Sequence, residues 1–262
     1  YRIIQIILIC AILYSAFKIG VYVYDRVTAY QKYSAIEDEV NEIRGMPKED
    51  SKKLKAPEKV IDYHKIMEKL KTRNGDAVGY IDIQGTVTHY PIVQTSDNEY
   101  YLYRGMDEKY SVDGTPFMDY RNKSDYSDMN TIIYGHTMKN ADDIFSPINY
   151  YYEQDYVDKS PKTFTITHEN GVSYYRIFSV YLINETEEYR ETNMYEDDWI
   201  EFLNNSRARS AAEFGYDKEF DGESKIVTLS TCTKHSSSDR TVMVGVLEYT
   251  LNDENPNPPK ND

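Results

Sequence analysis

The chain opens on an unbroken apolar run. From Ile3 to Val23 (IIQIILICAILYSAFKIGVYV) only Gln5 and Lys18 are strongly polar. About 21 residues at ~1.5 Å rise span roughly 30 Å, the thickness of a bilayer's hydrocarbon core. The run therefore predicts a transmembrane helix, with residues 1–24 as a membrane anchor. A secretory signal has a shorter apolar core and a small-residue cleavage site. Ala16 is compatible with such a site, but the length of the run favours an uncleaved anchor. The first residue is Tyr1 rather than Met, so a few preceding residues are expected. Without them the charge count that fixes orientation cannot be made: Arg2 stands on one side, Lys18 and Arg26 toward the other.

From Asp25 to about Arg44 the apolar positions are spaced (Val27, Tyr30, Tyr33, Ile36, Val40, Ile43), which predicts a juxtamembrane helix. Residues 45–56 (GMPKEDSKKLKA) are charged and broken by Gly and Pro, and read as a linker. Pro57 is placed to open a second helix to about Leu70, with Val60, Ile61, His64, Met67 and Leu70 on one stripe. His64 belongs to packing or surface, not to chemistry.

After the turn signal Asn74-Gly75 the period changes from helical to short β-like runs. Eight candidates follow: 78–83, 87–93, 114–120, 130–136, 162–168, 172–182, 225–232 and 240–250. Eight strands of this length predict a mainly β fold, a closed or nearly closed barrel with no long bare edge. Two helical insertions interrupt them, near 141–156 and at 194–209, the second carrying Trp199, Phe202 and Leu203 on one stripe. The chain thus divides into an anchor (1–24), juxtamembrane helices and linker (25–74), a barrel (75–251) and a proline-rich tail (252–262) expected to lack structure.

Composition alters this picture in three places. The net charge of −14 argues against nucleic acid, since no basic patch stands ready for phosphates. The 27 tyrosines suit strands and half-wet grooves. The 2 cysteines are Cys10, inside the apolar run, and Cys232; neither has a metal-ligand spacing, and no metal or other cofactor is implied. Taken alone, Cys232 reads as a small buried hydrophobe.

Its neighbours change that reading. KIVTLSTC at 225–232 alternates, so Ile226, Thr228, Ser230 and Cys232 share one face. RTVMVGVL follows after the short loop TKHSSSD, and two strands so joined form a hairpin. The hairpin sets the last residue of one strand, Cys232, against the first of the next, Arg240. A cation beside a thiol favours thiolate, and a guanidinium fork can hold a developing oxyanion. His136 ends the run NTIIYGH beside Gly135, placed to reach into a cleft, and histidine is the usual acid or base for a cysteine nucleophile. His89 and His168 lie within strands, and His235 in the hairpin loop.

Read together, these segments resemble the sortases. TLSTC at 228–232 followed by Arg240 resembles their cysteine signature, and IIYGH at 132–136 their histidine segment. YPIVQ at 90–94, FMDYRN at 117–122, the insertion before the cysteine strand and the helices at 25–70 resemble the class B branch. The resemblance covers roughly residues 60–250. It implies an eight-stranded sortase barrel anchored in the plasma membrane of a Gram-positive-type cell, with the catalytic domain on the extracellular, cell-wall side. It implies transpeptidation of secreted proteins that bear a C-terminal sorting motif. Cys232 would attack the carbonyl of the motif's threonine and form a thioacyl enzyme. His136 would protonate the departing amine and deprotonate the incoming one, an amino group of a cell-wall peptide. Arg240 would position the substrate and stabilise the oxyanion. Ser230 and Thr231, beside the cysteine, and Val93 and Tyr189, by position, are expected to line the substrate groove. His89 stands where class B enzymes carry asparagine; it joins the groove candidates and rivals His136 as the acid, with the YGH match and strand-end position favouring His136.

Two other readings stand beside this one. A hydrolytic cysteine protease is the nearer. Papain-type order puts cysteine before histidine, the reverse of this chain, and the caspase motif Q-A-C is absent. The other is a catalytically idle, membrane-tethered protein presenting a tyrosine-rich groove.

Overall fold

The computed structural model describes residues 2–45, 62–137, 143–232 and 238–259. The apolar run and the juxtamembrane segment form one continuous helix, α1 (Arg2–Ile43), with no break near residue 24. Its 42 residues extend about 63 Å at ~1.5 Å each. The N-terminal part is long and apolar enough to cross a membrane, and none of that stretch is buried in the protein. Further on, Ala29, Tyr33, Ile36 and Val40 recur at helical spacing and are buried against the barrel. The Tyr33 hydroxyl donates to the Gly114 carbonyl at 2.6 Å, and its ring meets Tyr90 edge-on at 5.0 Å.

The second helix, α2 (Tyr63–Arg73), starts later than the sequence suggests. Asp62 caps it, its carboxylate accepting from the Lys65 N–H at 3.0 Å. Its buried face is Tyr63, Ile66, Met67 and Leu70. His64 is exposed and reaches Asp253 at 3.1 Å. The expected opening at Pro57, with Val60 and Ile61, and most of the 45–56 linker lie outside the described residues, as does His235.

All eight strand runs form strands: β1 (Ala77–Ile83), β2 (His89–Val93), β3 (Phe117–Met118), β4 (Asn130–Tyr134), β5 (Thr163–His168), β6 (Gly171–Asn184), β7 (Ile226–Cys232) and β8 (Asp239–Leu251). They close a barrel in the order β1-β2-β3-β4-β7-β8-β6-β5. The run 114–120 shrinks to two residues for local reasons. Gly114 has φ +61°, and a Cβ there would sit 2.6 Å from the Leu102 carbonyl oxygen. Pro116 has no N–H for a ladder. Of the two insertions, the first is a 3-10 turn (Ser146–Tyr152) followed by one turn of helix, α3 (Gln154–Val157); residues 141–142 are not described. The second is α4 (Glu196–Ala208), with three acidic residues in its first turn, where the helix dipole favours them. The 252–262 segment begins with a turn, the Asn252 side chain accepting from the Glu254 and Asn255 N–H groups.

Alternation along β7 divides two cores. Val227 and Leu229 face the barrel interior with Ile81, Ile133 and Phe164. Ile226 faces outward into a second cluster that α4 covers with Trp199 and Leu203 and that includes Tyr189. Trp199 is fully buried, its indole N–H donating to the Ser224 carbonyl at 2.9 Å. The α4 insertion thereby braces the outer face of β6, β7 and β8, the face on which Cys232 lies.

Candidate active site

β7 runs between β4, to which it is parallel, and β8, to which it is antiparallel. Both pairings place chemistry at one end of the barrel. Cys232 is the register partner of Arg240 across β7 and β8. Tyr134 pairs with Ser230 across β4 and β7, and the Gly135 N–H donates to the Ser230 carbonyl at 3.1 Å. Continuing that parallel register for two residues on each chain sets His136 alongside Cys232. Gly135 is required here by packing: a Cβ would meet the Phe145 ring at 2.5 Å.

A cleft of about 300 Å³ opens at this point and is lined by Cys232, His136 and Arg240, with Ser230, Thr231 and Tyr189. Cys232 is a free, partly exposed thiol. The His136 Nε2 donates to the Leu102 carbonyl at 2.6 Å, which fixes the proton on Nε2. Its Nδ1 makes no hydrogen bond to the described residues. Arg240 donates to the Asp239 carbonyl at 3.2 Å and pairs with the Glu185 carboxylate, which lies in the turn after β6. The Tyr189 and Ser230 hydroxyls share a hydrogen bond of 2.9 Å. The Thr231 hydroxyl turns beneath the cleft to Thr137 at 2.8 Å.

Two of the groove candidates lie elsewhere. Val93 is fully buried in the core, paired through its backbone with Phe117, and it is Phe117 that reaches the cleft wall. His89 sits at the start of β2 and does not line the cleft. Its Nδ1 lies 3.1 Å from Asp82, which also binds Arg44 of the α1 terminus at 2.7 Å, and its Nε2 donates to the Thr86 carbonyl at 2.8 Å. Burial alone would lower the His89 pKa, but the Asp82 carboxylate more than offsets it and raises it. His89 therefore clamps β1, β2 and α1 together and is no rival to His136.

Sequence reasoning missed much of the rest of the wall: Phe117 and Tyr134 from strands, Leu102 from a 3-10 turn, and Asn98, Glu185 and Arg190 from loops. Arg190 lies over the Tyr189 ring at 5.1 Å and donates to the Glu185 carbonyl at 3.0 Å. The FMDYRN segment has a plain physical role. Its Asp119, wholly buried, takes a bidentate contact from Arg121 at 2.9 Å, the Tyr134 hydroxyl at 2.8 Å and the Asn98 amide at 3.1 Å. Burial pushes the Asp119 carboxyl up, and these hydrogen bonds, led by Arg121, hold it below the usual carboxylate range. One carboxylate thus orients two residues of the cleft wall.

Residues 81–248 match the family model of the sortase domain. The chain is 30% identical over 235 residues to sortase B of Listeria monocytogenes, covering 88% of this chain and 89% of that protein. The chain belongs to the class B sortases. The fold agrees: the structure of a Staphylococcus aureus sortase B–substrate complex superposes with a TM-score of 0.74 at 24% identity, covering 87% of this chain and 100% of that one. A sortase B complexed with triglycine gives 0.73 at 24% identity, with 87% and 100% covered. Sortases are cysteine transpeptidases, so this class B sortase is read as an enzyme, and the rivals of simple protease and idle binder fall away.

Proposed function

We propose that this sortase cleaves a C-terminal sorting motif of secreted proteins at Cys232 and joins the acyl part to an amine of a cell-wall peptide. The observation that carries the reading is the convergence of Cys232, His136 and Arg240 on one cleft through two strand pairings. The Cys232 thiolate adds to the threonine carbonyl carbon of the motif. The oxyanion that forms lies within reach of the Arg240 guanidinium, whose planar fork suits it. Collapse expels the amine, which takes a proton from His136 and leaves a thioester on Cys232. The Leu102 carbonyl holds Nε2 protonated, so Nδ1 is the nitrogen that gives and takes the proton. An incoming amine loses its proton there, attacks the thioester and releases the thiolate.

The sortase B partners named above, a substrate in one structure and triglycine in the other, support a peptide acyl donor and an amine acceptor for this chain. Ser230 and Tyr189, joined by their hydrogen bond, form the groove wall beside the nucleophile, with Thr231 at its base. The exposed apolar part of α1 supports single-pass anchoring through residues 3–23, and membership of the sortases, which are cell-surface enzymes, supports a barrel on the cell-wall side.

The test uses the chain in detergent with a library of sorting-motif peptides. Cys232→Ala abolishes cleavage and keeps the fold; unchanged cleavage removes the nucleophile assignment. Added wall-peptide amines convert hydrolysis product into ligated product. Hydrolysis alone with every amine tried would return the protease reading.

A further inference from the structure

Beneath the cleft, four polar side chains form one hydrogen-bonded chain. The Thr241 hydroxyl donates to Asn149 Oδ1 at 2.6 Å, and Asn149 Nδ2 donates to the Thr137 hydroxyl at 2.9 Å. Thr137 and Thr231 share a hydrogen bond of 2.8 Å. The Ser146 carbonyl, 3.4 Å from the same Nδ2, can only accept, which fixes the orientation of the amide. Each threonine is the chain neighbour of one cleft residue: Thr137 follows His136, Thr231 precedes Cys232, and Thr241 follows Arg240. Thr231 and Thr241 are themselves register partners and almost fully buried. β7 and β8 are held to each other by their own ladder. The strand end bearing His136 has less: β4 stops at Tyr134, and among the described residues its last backbone bond to β7 is the one from the Gly135 N–H to the Ser230 carbonyl. Beyond that point the Thr137 links to Thr231 and Asn149 tie it to the other two.

We propose that Asn149 is a positioning residue that sets His136 against Cys232 and Arg240. It reaches them from the 3-10 turn after β4 (Ser146–Tyr152), a segment outside the strands that carry the three side chains. The proposal rests on the assignment of those three as the catalytic set. A misplacement of about 1 Å in such a set costs on the order of a hundredfold in rate. Asn149 does not line the cleft, so its loss is expected to act on kcat and to leave KM in place.

The test compares changes that separate hydrogen bonding from packing, in the full chain in detergent. Thr137→Val keeps the side-chain volume and loses the hydroxyl; Thr137→Ser keeps the hydroxyl and loses a methyl. Thr137→Val and Asn149→Leu are expected to lower kcat roughly 10- to 100-fold with KM within about twofold. Thr137→Ser is expected to retain more than half of wild-type kcat. Iodoacetamide alkylation of Cys232, followed on its own tryptic peptide, needs no sorting-motif substrate. Cations held beside a thiol favour the reactive thiolate. Alkylation at neutral pH is therefore expected to slow about threefold or more in Thr137→Val and Asn149→Leu, and not in Thr137→Ser. If Asn149→Leu does not fold, the Thr137 pair decides. Equal activity of Thr137→Val and wild type, or equal damage from Thr137→Val and Thr137→Ser, overturns the proposal. If the wild type cleaves no sorting-motif peptide, the catalytic reading fails, and the alkylation series still decides the positioning role.

Discussion

Cys232 and Arg240 stand directly opposite each other in the antiparallel pairing of β7 and β8, and the Arg240 guanidinium is held from the side by Glu185. The pairing fixes the separation of thiol and cation by backbone hydrogen bonds, and the carboxylate fixes the long side chain that the backbone leaves free. A guanidinium so placed presents two parallel N–H groups to an oxyanion, which an ammonium cannot. Arg240→Lys is therefore expected to lower kcat by roughly 10²- to 10³-fold, close to the loss from Arg240→Ala. Steady-state rates on a sorting-motif peptide check this. Lysine activity within about threefold of wild type would mean that charge alone suffices.

The cleft wall beside Cys232 depends on one bond, between the Tyr189 and Ser230 hydroxyls at 2.9 Å. Both groups are buried, so either partner left alone loses a contact worth about 1 kcal/mol. Tyr189→Phe and Ser230→Ala are each expected to lower kcat/KM about 3- to 10-fold. The double variant is expected to be little worse than either single one, the signature of residues acting through each other. Simple multiplication of the two losses would show that they act separately.

The barrel was legible because its signal is period two. Val227 and Leu229 against Ile226 and Ser230 already separate the two faces, and the hairpin loop already opposes Cys232 to Arg240. The cleft was only half legible. Leu102 comes from a 3-10 turn, and Asn98 and Glu185 from loops, whose letters carry no period, and they reach the site only through closure of the barrel. Asp119 within FMDYRN shows no role in the letters; the structure buries it, and donors from Arg121, Tyr134 and Asn98 make that burial tolerable. Val93 and His89 were placed by position within and beside the YPIVQ match. The same strand that brings that segment toward the site turns Val93 into the core and leaves His89 at its far end.

His89 lies away from the cleft, beside Asp82 and the Thr86 carbonyl, so its expected contribution is to stability. His89→Gln is expected to keep kcat/KM within about threefold of wild type while lowering the unfolding midpoint. The sign of its pH dependence follows from its partners. His89 is raised in the folded state, so its contribution is fully present below the ordinary histidine value of ~6.5 and is lost as pH rises through the raised value. Asp82 is pushed up by burial but held lower on balance by His89 and Arg44, so the clamp persists until pH falls through that lowered value. The wild-type advantage over His89→Gln in denaturant titrations should be largest in this acid-to-neutral window and shrink at alkaline pH. An advantage that grew with pH would contradict the ion pair.

His168 imposes the opposite sign. It lies at the end of β5, stacked on Tyr126 at 4.7 Å, its Nδ1 accepting from the Asn170 N–H at 3.3 Å. With the proton thereby on Nε2, it donates to the Ser173 hydroxyl at 2.8 Å. The ring is satisfied as a neutral imidazole, and burial lowers its pKa to about 4 against the weaker opposing pull of Asp125 and Glu169. The unfolded chain takes up this proton first, near ~6.5. Stability that is complete above that value is lost as pH falls from there toward 4, by an amount on the order of 3 kcal/mol. His168→Gln has no proton to take up, so its stability should fall less than that of the wild type between pH 7 and pH 4.5. Chemical denaturation at the two pH values measures the difference, and parallel losses in both proteins would show that His168 does not set the acid limb.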